Sequence, residues 1–477
     1  HLSLRRQRQM CIRDRNKLSH SIVSSDTNQS LPVPPATAWI RFALRVLGSG
    51  ETTVKALVKG AVSPAMDHLM GRGDALLVSK DYPRYDDLYR YGFVHRRVLG
   101  YAEDGYKVDV FRFSNAPISF DEFEGVDVVA GQAEHLRLLL QGNHYATVLV
   151  HAMDPLMWQA IRPLLETRRV VVWVHGAEMQ PWYRRTSNLG DGEAAREMAR
   201  RASEKRAAMW REVLTYPHPN LRVVFVSRHL EEEALMDLGV RVPEQQRSVI
   251  PNFVDGSLFR YHPKPADLRN KILSIRPFAS AVYANDLSVK AIQLLSSEPF
   301  FGELEFTIIG DGPLFDETVA PLRAYPNVRL ERRFLSQSEI ADLHRTHGVF
   351  LVPSRMDSQG VSRDEAMSSG LVPVTSRVAA IPEFVDATCA ILAEPEDVAG
   401  LAAGIASLHR DPDLFGRMSL AASERARRIS GREATIEKEL ELIRGRTPQR
   451  ALFHAPSPAP SMRCLLYTSP SPRDATL

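Results

Sequence analysis

The 477-residue chain is poor in cysteine, in long apolar runs and in net charge of either sign. Its three cysteines, Cys11, Cys389 and Cys464, are too few for a disulfide framework or a Cys-rich metal site. No apolar run approaches the roughly 18 residues that span a bilayer. The first residues are crowded with Arg and Gln, where a secretory leader would be apolar, so none is expected. Lys and Arg number 60 against 57 Asp and Glu, a formal net charge of +3, which gives no support to nucleic-acid binding. What is present is globular in kind: 44% hydrophobic and 25% charged residues, over a length that exceeds one ordinary core and suggests two domains plus extras.

Both ends look foreign to the fold. Met10 to Arg15 (MCIRDR) and Cys464 to Ser469 (CLLYTS) can be encoded by strings that are reverse complements apart from their last few bases. They resemble translated adapter from a transposon-based sequencing library, which takes residues 1 to 15 and 464 to 477 out of the folding problem. Cys389 is then the cysteine that counts, and a reducing cytoplasm fits. Residues 16 to 35 are rich in Ser, Thr and Pro and read as linker, completing an unfolded stretch 1-35. Segment 36-73 carries two helical patterns, and the Pro/Ser/Ala-rich tail 448-477 reads as disordered.

Between these ends, short buried-strand runs alternate with helical patterns, the signature of a doubly wound parallel sheet. Ala75 to Ser79, Val108 to Phe113, Val126 to Val129, Thr147 to Val150, Val170 to Val174 and Val223 to Val226 are the strands of a first domain, 74-240. DYPRYDDLYRYGF after the first strand reads as a polar aromatic loop. Helices are expected over 135 to 140, 191 to 214 and 229 to 238, the last stopped by Gly239. A second domain, 241-430, has strands at Ile272 to Ile275, Phe306 to Ile309, Val328 to Phe334, Val349 to Val352 and Leu371 to Thr375. Ser336 and Glu339 have capping-box spacing. Helices over 395 to 410, 412 to 428 and 431 to 446 complete the chain. Asp411-Pro412-Asp413, the only D-x-D, reads as a helix cap and not as a metal site.

The most informative stretch is 349 to 385, VFLVPSRMDSQGVSRDEAMSSGLVPVTSRVAAIPEFV. It reads as strand, loop, helix and strand, with the loop at the carboxyl end of a parallel sheet, where such folds place ligands. Asp357 in the loop and Glu365 in the helix, with seven residues between them, flank a helix start whose free N–H groups suit a phosphate. With Pro353-Ser354, Gly370 to Val374 and Pro382-Glu383, this set resembles the donor-binding signature of retaining glycosyltransferases of family 4, with Asp357 in place of the family's first Glu. Other segments resemble the same family in the same order: His175-Gly176 after a strand, VIPNFVD (Val249 to Asp255) followed by Phe259, with Phe253 replacing a usual Gly, Arg276 after a strand, and Gly310-Asp311-Gly312-Pro313.

The resemblance implies α/β architecture with two Rossmann-like sheets facing a cleft, the GT-B fold, with the last helix, 431-447, crossing back to the first domain. It implies transfer of a hexosyl unit from a nucleotide-sugar to a glycan, lipid or small-molecule acceptor, with retention of anomeric configuration. Asp357, His175 and Arg276 are then the catalytic group, His175 facing acceptor and reacting sugar and Arg276 gripping the diphosphate. Glu365, Gly310, Gly312, Gly360, Val361, Ser362 and Leu335 bind the donor, backbone groups near Leu335 meeting the base. No metal and no cofactor are implied beyond the donor itself, a UDP-, GDP- or ADP-sugar. The family's Lys five positions after the Arg is absent, Ala281 standing there, with Lys290 as a candidate substitute. A nucleotide-sugar 2-epimerase of the same fold and a non-catalytic sugar-nucleotide-binding protein are the alternatives. Eight bases between Arg184 and Arg211 form a candidate patch for anionic lipid, consistent with a cytoplasmic protein peripheral to the inner face of the membrane.

Overall fold

The computed structural model describes residues 70–445 except 89, 143, 144 and 189–191, and the side chains of 186–188 are likewise outside the description. The expected linker, all but the end of the N-terminal helical segment, and the tail fall outside that range. Eight strands form the first sheet: β1 (Ala75–Ser79), β2 (Val108–Phe113), β3 (Ser119–Phe123), β4 (Val126–Gly131), β5 (Thr147–His151), β6 (Arg169–Val174), β7 (Leu221–Phe225) and β8 (Arg247–Val249). Their order is β3-β4-β2-β1-β5-β6-β7-β8, parallel throughout except for the antiparallel β3–β4 hairpin. The runs ALLVS, TVLVH and VVVWV are apolar on both faces because helices cover both sides of the sheet. Six parallel strands form the second sheet, in the order β11-β10-β9-β12-β13-β14: β9 (Lys271–Ile275), β10 (Glu305–Gly310), β11 (Val328–Arg332), β12 (Val349–Leu351), β13 (Val372–Ser376) and β14 (Ile391–Ala393).

Three features depart from the sequence expectations. A helix, Gly92–Glu103, begins inside the expected aromatic loop; Tyr91 ahead of it sits at φ 49 with no side-chain cap, so the usual start signals are missing. The β3 strand, SFDEF, is polar and short, and its hairpin turns through Glu124 and Gly125, both at positive φ, with Glu where Asn or Asp is usual. Strand β8 pairs with β7, so the first sheet extends to Val249 and not to a boundary at 240. The caps follow expectation: Gly239 at φ 65 ends Arg228–Leu238, Ser336 and Glu339 make both capping-box bonds, and Asp411 accepts the Leu414 N–H.

Each sheet reverses its winding once, between β1 and β5 in the first and between β9 and β12 in the second. Crevices at such switch points, beyond the carboxyl ends of the strands, are where open α/β sheets bind ligands.

A buried polar network ties the two sheets together. The helix Ile436–Ile443 packs against Gly92–Glu103, and Glu439 on it is wholly buried. Its carboxylate accepts from Arg97 Nε at 2.9 Å, Trp173 Nε1 at 2.9 Å and the Tyr101 hydroxyl at 2.5 Å. Arg97 Nη1 also donates to Asn252 Oδ1 at 2.9 Å. The N–H and side-chain amide of Asn252 donate in turn to Gln359 Oε1, at 2.6 and 2.8 Å, in the second domain. Phe253, beside it, is not at positive φ, so the glycine of the resembled segment is not required. Glu439→Leu should therefore leave Arg97 as an uncompensated buried charge and cost about 3–5 kcal/mol. Urea denaturation measures this; a loss under about 0.5 kcal/mol, the size of a neutral surface change, would contradict it.

Candidate active site

The crevice between β9 and β12 gathers the second-domain residues. Arg276 leaves β9 with its guanidinium buried, its Cζ 5.0 Å from the centre of the Tyr283 ring and Nη1 at 3.5 Å from Ser362 Oγ. Burial lowers its pKa, the nearby Asp357 charge opposes that, and Arg363 adds to the lowering. Asp357, half-buried, accepts the Gln359 N–H at 3.1 Å, which folds the loop back before Gly360. Gly360, at φ 93, opens the helix Val361–Ser368, so the unbonded N–H groups of Val361 and Ser362 lie in the crevice's first helical turn.

Glu365 is buried within that helix, and desolvation pushes its pKa up to about 8, only partly offset by the Arg96 charge and a hydrogen bond with Gln337. A carboxyl in this state is mostly protonated at neutral pH and regains its charge when donors reach it. Leu335 has its side chain in the core with Phe259, Ile275 and Ile340. Its neighbours Ser336 and Gln337 line a narrow crevice with His95, Arg96 and Glu124 of the first domain.

Two expectations are corrected. Gly310 and Gly312 are required first by backbone packing and not by the expected ligand approach: a Cβ on Gly310 would lie 1.9 Å from the Arg276 carbonyl oxygen, and one on Gly312 would lie 2.3 Å from the Phe278 carbonyl carbon. The glycines let β10's turn close against the Arg276–Phe278 backbone, completed by the Phe278 N–H to Asp311 O bond at 2.8 Å. Lys290 does not replace the absent lysine; it pairs at 3.3 Å with Asp286 on an exposed helix surface. The cation that does neighbour Arg276 is Arg363, paired with Asp364 at 2.6 Å and lying under Gly360. Nothing in the sequence pattern marked Arg363, Asp364 or Gln359, because buried charge in an amphipathic helix reads as solvated surface.

The first-domain wall is built on His175-Gly176. Glu178 accepts the His175 N–H at 2.6 Å and holds this turn, with Gly176 at φ 122. His175 lies against Phe93, ring centres 4.6 Å apart, and its Nε2 is 2.9 Å from His151 Nδ1. Burial, followed by the Arg97 charge, keeps its imidazole well below the usual pKa and therefore neutral.

The cleft is closed across this wall. Ser358 Oγ donates to the His175 carbonyl oxygen, and Gln180 Nε2 approaches Met356 Sδ at 3.1 Å. Glu383 takes the N–H groups of Arg228 and His229, at 3.0 and 2.5 Å, at the first turn of Arg228–Leu238. The Pro382-Glu383 pair thus has an interdomain contact that the sequence did not reveal. Away from the cleft, the basic stretch is partly neutralised: Arg184 pairs with Glu233 and Asp237, and Arg200 and Arg201 pair with Glu197.

Comparison with known proteins bears on both halves. Residues 269–411 match the family model Glycosyl transferases group 1. The chain is 30% identical over 207 residues to an MMP α-(1→4)-mannosyltransferase of Mycolicibacterium hassiacum, covering 42% of this chain and 48% of that protein. It is 28% identical over 153 residues to a sulfoquinovosyl transferase of Arabidopsis thaliana, covering 31% and 30%. The chain thus spans half or less of the length of these curated relatives. In structure it superposes on a sucrose-phosphate synthase from Thermosynechococcus elongatus with a TM-score of 0.59 at 16% identity, covering 78% of this chain and 98% of that one. Anabaena HepE, solved in complex with UDP and glucose, gives 0.57 at 14% identity, with 78% and 100% covered. The fold is GT-B. Among the described residues no helix is long and apolar enough to cross a membrane.

The raised pKa of Glu365 fixes the sign of a pH effect. Between its ordinary value of 4.5 and about 8 the folded chain keeps a proton that the unfolded chain has released. Stability is therefore lost as pH rises through that window. Glu365→Gln removes the dependence, so its melting temperature should gain on the wild type from pH 5 up to about pH 8 and level off above that. An equal offset at every pH would contradict the assignment.

Proposed function

We propose that the chain is a retaining glycosyltransferase that moves a hexosyl unit from a nucleotide-sugar to an acceptor bound at the first domain. The observation that carries this is the meeting of Arg276, the Asp357 loop and the start of Val361–Ser368 at the second sheet's switch point, opposite His175 at the first domain's wall. The group 1 match over 269–411 covers Arg276, both glycines, Asp357 and Glu365, which supports the donor half of the reading. HepE in complex with UDP and glucose supports a UDP-sugar as donor, with GDP- and ADP-sugars as the other candidates.

In this reading the diphosphate lies against Arg276 and the N–H groups of Val361 and Ser362, a planar cation and a helix start that both suit phosphate oxygens. The ribose hydroxyls donate to Glu365, which ionises as they arrive. Asp357 lies beside the hexose ring, where positive charge develops as the anomeric C–O bond breaks. The acceptor oxygen forms its bond on the face the diphosphate leaves, and its proton passes to the departing phosphate oxygen. Arg276 and the helix start offset the charge on that leaving group, with no metal in the scheme. Burial keeps His175 neutral, so it is a wall and hydrogen-bonding group and not a cationic acid.

The defining experiment is release of free nucleotide from the donor with and without acceptor. Release that requires acceptor is expected; release without it, accompanied by an epimerised sugar, would favour the 2-epimerase. Within that assay the two acids should separate. Glu365→Gln is expected to weaken nucleotide and nucleotide-sugar alike, about ten- to hundredfold for loss of a charge-assisted bond. Asp357→Asn is expected to lower turnover and leave binding of the free nucleotide unchanged. Unchanged binding and turnover in both variants would remove these assignments.

A further inference from the structure

The last residue of β5, His151, has no exposed surface and occupies the first sheet's switch point. Its ring stacks on Trp173, with centres 4.7 Å apart and planes at 19°, and meets His175 edge to edge, nearly coplanar, at 5.2 Å and 17°. Its Nδ1 lies 2.9 Å from His175 Nε2, and its own Nε2 is buried with no hydrogen-bond partner. Ala152, directly after it, is held at φ 53, a left-handed conformation that a residue with a Cβ rarely adopts. That turn sets the direction in which the chain leaves His151. The Trp173 indole is itself pinned to Glu439 at 2.9 Å.

We propose that His151 is a positioning residue for His175, holding its ring in one orientation and one tautomer at the wall of the cleft. The inference rests on the glycosyltransferase reading for its effect on turnover, while the tautomer itself does not. Both rings are neutral, so one proton is shared between His151 Nδ1 and His175 Nε2. If His175 donated, His151 would carry its other proton on Nε2, as a buried N–H with no partner. If His151 donates, that atom is a bare lone pair and the unbonded N–H is His175 Nδ1, also buried, but with the Asn252 side chain beside His175 where nothing polar stands beside His151 Nε2. The structure therefore assigns the proton to His151 Nδ1, leaves His175 Nε2 as acceptor and puts the His175 proton on Nδ1. Asn252 is the polar side chain beside His175, and no hydrogen bond of normal geometry joins the two in this structure. Asn252 is also the residue that Arg97 and Gln359 hold between the domains. With Nε2 already engaged, His175 is not free to take the acceptor's proton, and its contribution is placement.

The test has two independent arms. Long-range ¹⁵N–¹H correlation spectra of the wild-type chain should show His175 with a protonated Nδ1 and an unprotonated Nε2, and His151 the same. A protonated His175 Nε2 would overturn the assignment whatever the enzyme does. In the transfer assay, His151→Phe keeps a stacking ring and removes the hydrogen bond; it should lower kcat about ten- to hundredfold, the scale of a small misplacement, with donor KM unchanged. His151→Asn, which keeps an N–H donor near the Nδ1 position, should restore at least half of that loss on a logarithmic scale. Adding His151→Phe to His175→Ala should cost nothing further; an equal additional loss would show that His151 does not act through His175. Absence of transfer by the wild type would defeat the glycosyltransferase reading and leave the spectroscopic arm standing.

Discussion

Glu439 is the single acceptor on which three buried donors converge, the Arg97 guanidinium, the Trp173 indole and the Tyr101 hydroxyl. An uncompensated ion in such a place costs several kcal/mol, so a helix near the end of the chain is bound to the first sheet. Arg97 also donates to Asn252, and Asn252 is bonded to Gln359 in the loop before Val361–Ser368. Gln359 donates to Asp364 at 3.0 Å, and Asp364 holds Arg363 beneath the crevice. One connected polar network thus reaches from the first sheet to the floor of the candidate donor site. The helix that carries Glu439 also adds Ile436, Leu440, Leu442 and Ile443 to the first domain's apolar core, so polar and apolar contacts fix it together.

Much of the fold could be read from the chain because the parallel strands are buried on both faces and spell themselves as short β-branched runs. Ala75–Ser79 and Val108–Phe113 have the expected limits. Where reading failed, the local signal had been displaced by tertiary contacts. Gly92–Glu103 starts without a capping side chain, and β3 is a polar edge strand that exists by pairing with β4. The candidate site divides in the same way. Asp357, Glu365, Arg276 and His175 were visible because their spacing follows a family pattern. His151, Gln359, Arg363 and Asp364 were not, since a buried polar residue is recognised by its partners, and those lie far off in sequence. The two glycines of Gly310-Asp311-Gly312 show a third case, in which the residues were found and the structure adds a packing reason the sequence did not show: backbone occupies the space a side chain would need.

The two halves of the molecule differ in kind. The second domain's 269–411 segment carries the group 1 match, and the donor-side residues lie at a switch point that general rules mark for ligands. The first domain contributes the fold-level likeness and a wall of neutral histidines and aromatic rings, His151, His175, Tyr91 and Phe93. Such a wall is suited to a sugar face and to excluding water. In the proposed reading the donor would be held by a cation, a helix start and a buried carboxyl, Arg276, Val361–Ser368 and Glu365.

The central claim is that a nucleotide-sugar binds in the crevice between β9 and β12 and reaches the His175 wall. Amide hydrogen exchange on the full chain, with UDP-glucose, GDP-mannose and ADP-glucose compared against buffer, tests it most directly. At least one donor should slow exchange at 276–283, 335–337 and 357–365 and, through closure, at 175–180. No protection in those segments with any of the three donors, or protection confined to surfaces away from them, would contradict the account.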